Sequence, residues 1–292
     1  MGSGLRRLSG LTRQRRYDAA MVYCELFPMM PGGIEASLLR VPYLYDFDDA
    51  FSLKYRGGRM GAFKGILGNK FDHVIASAAG VTAGSRALHE HAATHNLQSR
   101  LLPTVVDTAR YVPAPKVRSG TLTVGWVGSP STAPYLELIA RPLSQLAGEG
   151  PVRVIVMGGK APSIPNAEVV DVEWREDTEV EAINTFDIGV MPLPDDDWSR
   201  GKCAFKLIQY MACGVPVVAS QVGANVDVVQ GPCGILANSG EDWLNALRWL
   251  RDRPNDRVEM GLYARQRIED EFSLTHNLPT LADALLSVLK KG

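Results

Sequence analysis

Ser199-Arg-Gly-Lys-Cys-Ala-Phe-Lys-Leu-Ile-Gln-Tyr-Met-Ala-Cys-Gly-Val-Pro-Val-Val-Ala-Ser220 reads as a turn, a helix and a buried strand in direct succession. A helix predicted over residues 203–211 places Lys202, Lys206 and Gln209 at offsets of four and seven, on one narrow stripe. Phe205, Ile208 and Ala212 fall on the neighbouring apolar side. Such a helix packs on a sheet by one side while its first turn aims two ammonium groups in a common direction. Two cations at a helix N-terminus suit a diphosphate. Each charged hydrogen bond is worth about 1.5–3 kcal/mol, and the dipole adds roughly 0.3–1 kcal/mol. The plainer alternative is a solvated lysine pair. The strand that follows, opened by Gly214 and Pro216, favours a ligand site, because open α/β sheets bind ligands at strand ends.

Working outward, short β-rich runs alternate with longer helical patterns from end to end, which predicts parallel sheets covered by helices. Strands are predicted at residues 19–23, 43–45, 80–83 and 99–102, and helices at 4–15, 61–78 and 85–95. A Pro-rich polar linker is expected at 112–120. Beyond it, strands are predicted at 122–127, 152–157, 167–172, 188–191, 215–219 and 234–236. Helices are predicted at 133–147, 176–184, 203–211, 224–229, 241–252, 255–272 and 277–290. The domains follow: 1–116, a shortened N-terminal unit; 117–275, a complete second unit; and 276–292, a helix crossing back to the first.

Three further turns look suited to an anionic ligand. Gly125-Trp-Val-Gly-Ser-Pro-Ser-Thr132 runs from a strand into a helix start, where Gly128 and Ser129 offer backbone N–H groups and a hydroxyl. Gly158-Gly159 ends the next strand. Ser220-Gln-Val-Gly-Ala-Asn-Val-Asp227 places Gly223 and Asn225 at a third strand end. None is a GxGxxG or Walker A loop, which argues against dinucleotide oxidoreductases and P-loop NTPases. Trp174 is a candidate to stack on a base, against a plain structural role. In the first half, Asp46, Asp48 and Asp49 follow a short strand. They are candidates to orient or deprotonate an acceptor hydroxyl, against helix capping. Glu25-Leu-Phe-Pro28 is a further candidate cleft segment. Asp195-Asp196-Asp197 reads as a solvated loop, and His91 and His95 as a surface helix without a third metal ligand.

The net charge of −1 gives no global pull toward nucleic acid. Arg6, Arg7, Arg13, Arg15 and Arg16 form a local basic face that offers peripheral membrane contact, with a solvated helix as the alternative. Cys24, Cys203, Cys213 and Cys233 lack metal-ligand spacing and read as free thiols in a reducing compartment. No apolar run approaches the roughly 18–20 residues that span a bilayer. A cytoplasmic protein, soluble or peripheral to the inner membrane face, is expected.

The run from Lys206 to Ser220, with Val222-Gly-Ala-Asn225, Gly234-Ile-Leu236, Asp187-Ile-Gly-Val-Met-Pro-Leu-Pro194 and Met260-Gly-Leu-Tyr-Ala-Arg265, resembles family-4 retaining glycosyltransferases of the GT-B fold. Tyr45-Asp-Phe-Asp-Asp-Ala50 and Leu102-Pro-Thr-Val-Val-Asp107 extend the likeness more loosely. The resemblance implies two Rossmann-like α/β domains, the N-terminal one incomplete because its first strand-helix units look absent. The exposed sheet edge would then invite homo-oligomerisation. It also implies a nucleoside-diphosphate-sugar donor, a diphosphate held at Gly128-Ser129 and by Lys202 and Lys206, and sugar contacts from Gly201, Cys203, Ala204 and Phe205. Where the family has a Glu-x7-Glu pair, this chain has Gly201 and Gln209. Gln209 can still bond a ribose hydroxyl; Gly201 cannot replace a side chain. Transfer is expected with retention and with no cofactor or metal, to a glycan, lipid or small-molecule acceptor. The rival is a non-catalytic sugar-nucleotide-binding scaffold; a GT-B-type epimerase or phosphorylase is a third reading.

Overall fold

The computed structural model describes residues 2–115 and 120–290. Part of the predicted linker, residues 116–119, and the Arg6 side chain lie outside what is described. Two compact units form. Unit 1 gathers the chain through Thr104, the segment Arg200–Cys203 and the last helix from Asn277 onward; unit 2 comprises Val105–Ser199 and Ala204–His276.

Unit 1 holds strands β1 (Ala20–Tyr23), β2 (Tyr43–Phe47), β3 (Gly80–Ala83) and β4 (Ser99–Leu101), all parallel and in sequential order. β1 is an edge, and Met21 and Tyr23 are about half exposed on it. The last helix, Leu274–Leu289, packs Ala284 and Val288 on Leu44 of β2. Beside the sheet, Lys70 is fully buried and ion-paired to Glu25 at 2.8 Å and Glu35 at 2.9 Å. Its ammonium also donates to Phe27 O, and Tyr55 donates to Glu25. A buried charge is tolerated only when paired this way.

Unit 2 holds β5 (Leu122–Val127), β6 (Val152–Met157), β7 (Glu168–Val172), β8 (Ile188–Met191), β9 (Val217–Ser220) and β10 (Gly234–Ala237), ordered β10-β9-β8-β5-β6-β7 and all parallel. Every residue of β5 and β8 is buried, as expected of strands covered on both faces. Successive side chains feed two opposite cores. Val124, Trp126, Val154, Val156 and Val190 pack with the Glu137–Glu149 and Gly240–Asp252 helices. Val127, Met157, Met191 and Val217 pack with the Phe205–Ala212 helix. The strand order reverses between β5 and β8, the point where doubly wound sheets open a crevice at their C-terminal ends. There Gly125 pairs with Gly189. A Cβ on either would strike the Phe186 or Tyr210 ring, so the glycines let both rings lie on the sheet.

The expected α/β fold with two parallel sheets is borne out. Several element ends differ. The helix predicted at 61–78 is interrupted, with Lys64–Leu67 and Lys70–Ser77 separated at Gly68. β9 begins after Pro216, which has no N–H for the ladder. The helix predicted at 255–272 ends at Arg267 and widens over Ile268–Phe272. Short helices at Gly32–Ser37 and Asp197–Arg200 were not expected. Asp196 accepts from Ser199 N–H at 2.7 Å and caps the latter.

Candidate functional site

In unit 2 the crevice is built mainly of backbone. Gly128 follows β5 and donates to Met157 O at 2.9 Å; Gly158 follows β6 and donates to Val172 O at 2.9 Å. Gly158 has φ +79°, and a Cβ there would lie 2.3 Å from Gly128 O and 2.9 Å from Trp174 Cβ. Only glycine fits both the conformation and the gap. Ser129 Oγ lies 2.8 Å from Ser131 Oγ at the start of the following helical turn. Over this floor stands Lys206, its Nζ 5.5 Å from the centre of the buried Trp126 ring. A Cβ on Gly128 would come within 2.9 Å of Lys206 Cε.

Lys206 belongs to the first turn of the Phe205–Ala212 helix, which has no side-chain N-cap. Ala204 before it adopts φ 56°, ψ 26°, a conformation costly for a residue with a Cβ and concentrated at functional sites. One turn along, Tyr210 lies fully buried and its hydroxyl accepts from Val127 N–H at 2.7 Å. That bond ties the helix to the end of β5, and so fixes Lys206 above Gly128.

A second chain of side chains reaches the crevice wall. Gln209 donates to the Tyr111 hydroxyl at 2.8 Å, Tyr111 donates to Glu179 Oε2, and Trp174 Nε1 donates to Glu179 Oε1 at 2.7 Å. Burial and the neighbouring Glu179 push the Tyr111 hydroxyl up to about 12, so it stays a donor at ordinary pH. The Trp174 ring is left half-exposed beside Gly158. Gly223 (φ 53°, ψ −136°) opens the Ala224–Val228 helix at the end of β9, and Asn225 donates to Ser220 O at 2.9 Å.

In unit 1 the strand ends carry side chains instead. Asp46 accepts from Thr82 at 2.6 Å, and burial raises its carboxyl above the ordinary range. Asp48 accepts from the Tyr23 hydroxyl at 2.7 Å. Lys202 Nζ lies 3.7 Å from Asp49. The Cys203 thiol donates to Asp48 O at 2.7 Å; desolvation pushes it, like Cys24, up to about 12. Neither thiol is a ready nucleophile. A Cβ on Gly201 would lie 2.3 Å from Ala50 Cβ.

Against the expectations, the structure brings Gly128, Ser129, Gly158, Trp174 and Lys206 together in unit 2. The single stripe of Lys202, Lys206 and Gln209 does not form. The left-handed Ala204 delays the helix, Lys202 precedes it and pairs with Asp49 in unit 1. Gln209 turns inward, about 4% exposed, toward Tyr111 rather than toward a ribose. Asn225 is about 1% exposed and braces its turn. Cys203 and Ala204 are buried, and Phe205 is exposed. Glu25 lies in the Lys70 ion cluster rather than a cleft. Sequence reading missed Tyr210, Tyr111 and Glu179. The spacing of four between Lys206 and Tyr210 was the available signal for the first; the other two carry none.

Two Rossmann-like units with parallel sheets, the second of them with a strand-order reversal and a glycine-floored crevice, define the GT-B architecture. Residues 121–253 match the family described as glycosyl transferases group 1. It is 32% identical over 154 residues to a D-inositol 3-phosphate glycosyltransferase of Gordonia bronchialis, covering 47% of this chain and 32% of that protein. It is 28% identical over 243 residues to the same-named protein of Rhodococcus erythropolis, covering 73% and 53%. The chain therefore matches about a third and about half of those proteins. The fold resembles that of Anabaena Alr3699/HepE solved with UDP-glucose, with TM-score 0.71 and 15% identity, covering 96% of this chain and 82% of that one. Among the described residues no helix is long and apolar enough to cross a membrane.

Proposed function

We propose that unit 2 binds a nucleoside-diphosphate sugar and that the protein transfers the sugar, with retention, to an acceptor hydroxyl. One observation carries this reading: Gly128 and Gly158 approach without room for a side chain, directly beneath Lys206 and the uncapped helix start. In this reading the amides and Lys206 hold the diphosphate, Trp174 stacks on the base, and Gly223 edges the sugar. The reaction breaks the bond between the sugar and the diphosphate, so negative charge grows on the leaving oxygens. Lys206 and the fixed N–H dipoles stabilise that charge without a protein nucleophile. Asp46, Asp48 and Lys202 of unit 1 orient the acceptor. The exposed Arg13, Arg15 and Arg16 supply peripheral membrane contact; Arg7 is already spent on Leu26 O. The absence of a side chain at Gly201 favours a second reading, a binding protein without turnover.

The test compares Lys206→Ala with the unchanged protein for binding of UDP, GDP, ADP and their nucleosides. We expect diphosphate affinity to fall roughly ten- to a hundredfold, the worth of one charged hydrogen bond, with nucleoside affinity unchanged. Equal loss for both ligands sinks the phosphate role. Donor binding without hydrolysis or transfer, over a broad acceptor panel, selects the binding-protein reading.

A further inference from the structure

Asp72, His91 and His95 take no part in the machinery above. Asp72 lies on the Lys70–Ser77 helix and His91 on the Arg86–Ala93 helix of unit 1. His95 follows two residues beyond that helix, its N–H donating to Ala92 O at 3.0 Å. The spacing of four brings both imidazoles to one side, with ring centres 5.2 Å apart and planes at 67°. His91 Nε2 lies 3.1 Å and His95 Nε2 3.6 Å from the same oxygen, Asp72 Oδ1. The donor atoms of all three residues lie within 4.8 Å of one another.

Those separations match a coordination sphere. A tetrahedral zinc with bonds of about 2.0–2.1 Å holds its donor atoms roughly 3.4 Å apart, between the two measured values. A simple ion pair explains the shorter contact only. The longer one exceeds ordinary hydrogen-bond length, yet the second imidazole still faces the same oxygen. Arg56 completes the arrangement. It donates to the other carboxylate oxygen of Asp72 at 2.6 Å and is itself fixed on Gly68 O at 3.0 Å. Partners of this kind orient a metal ligand from outside.

We infer that unit 1 carries a zinc-class cation site made of His91, His95 and the Asp72 carboxylate. Two nitrogens and one oxygen select zinc and its neighbours over magnesium or calcium, which prefer all-oxygen sets. The His91 and His95 side chains are 28% and 33% exposed, which gives the ion a path in. Solvent water supplies the fourth ligand. The bound ion would clamp the Lys70–Ser77 helix to the Arg86–Ala93 helix, a role independent of the donor site.

The test titrates the full chain, without a histidine tag and stripped by a chelator, with Zn2+ and with Co2+ as its coloured stand-in. One equivalent should bind per chain, with the visible absorption of low-coordinate Co2+ and a higher unfolding temperature in Zn2+; Mg2+ should do neither. His95→Gln should weaken binding at least tenfold, and His91→Gln with His95→Gln should abolish the stoichiometric site. Circular dichroism and UDP binding on the same samples report folding and the donor site separately. Absence of saturable binding at one equivalent, or a folded double variant that binds like the unchanged chain, overturns the assignment.

Discussion

The two units end their strands in different materials. In unit 2 the order reverses between β5 and β8, and the ends are glycine backbone under one lysine. In unit 1 the strands run in sequential order, and the ends hold Asp46, Asp48, Asp49, Tyr23 and Lys202, engaged with neighbouring groups. Backbone amides cannot titrate, and they leave open space for a large anion. Carboxylates can exchange protons and orient hydroxyls, but they repel phosphate. In the proposed reading, a division of labour between a donor side and an acceptor side follows from the choice between glycine and aspartate.

The comparison breaks most easily at Gly158. Gly158→Ala would force a Cβ to 2.3 Å from Gly128 O at a positive φ. Left-handed strain and overpacking together cost about 2–5 kcal/mol. Chemical denaturation should show that loss, with nucleotide binding abolished in the fraction that folds. Unaltered UDP binding would show that the crevice does not depend on this close approach.

Gly201 tests the other side. Introducing the carboxylate that the family resemblance implies there, Gly201→Glu, meets Ala50 Cβ at 2.3 Å and Ala50 Cα at 3.2 Å. We expect a loss of about 1–3 kcal/mol and no gain in transfer. Paired with Ala50→Gly, the same change should recover most of the stability, because the clash is with one methyl. A stable single variant with raised activity would mean that the loop rearranges freely.

Gln209 sharpens the comparison within unit 2. Gln209→Ala removes the donor to the Tyr111 hydroxyl and loosens the Tyr111–Glu179–Trp174 chain. A stability loss of about 1 kcal/mol is expected, with weaker binding of nucleosides and nucleotides alike if Trp174 stacks on the base as proposed. A loss confined to diphosphates would assign Gln209 to the phosphate site.

These positions also show what the sequence made legible. The strands predicted at 122–127, 152–157 and 188–191 match β5, β6 and β8, because short β-rich apolar runs between turns announce themselves. Gly128 and Gly158 could be chosen as candidates from strand ends, and Lys206 from the start of a predicted helix. The left-handed Ala204 could not, since alanine ordinarily continues a helix, and so Lys202 was placed on a helical stripe that does not form. Asp72, far from His91 and His95 in sequence, could not be joined to them before the two helices were packed. Local chemistry was readable; pairings made only by tertiary packing were not.

Asp46 gives the smallest effect and the finest probe of unit 1. Burial raises its folded-state carboxyl above its unfolded value, while the Thr82 hydroxyl opposes that rise. The folded state therefore prefers the protonated form, and the ionised carboxylate costs stability above the folded-state titration point. Asp46→Asn keeps an acceptor for Thr82 and removes this cost. The variant should match the unchanged protein below the unfolded-state range near pH 4. It should gain about 1 kcal/mol or less as pH rises toward neutrality, read as a difference between unfolding midpoints across that range. If the unchanged protein instead gains on the variant with rising pH, Asp46 is stabilised as an anion. The acidic strand end of unit 1 would then be a persistently charged surface and a weaker base toward an acceptor hydroxyl.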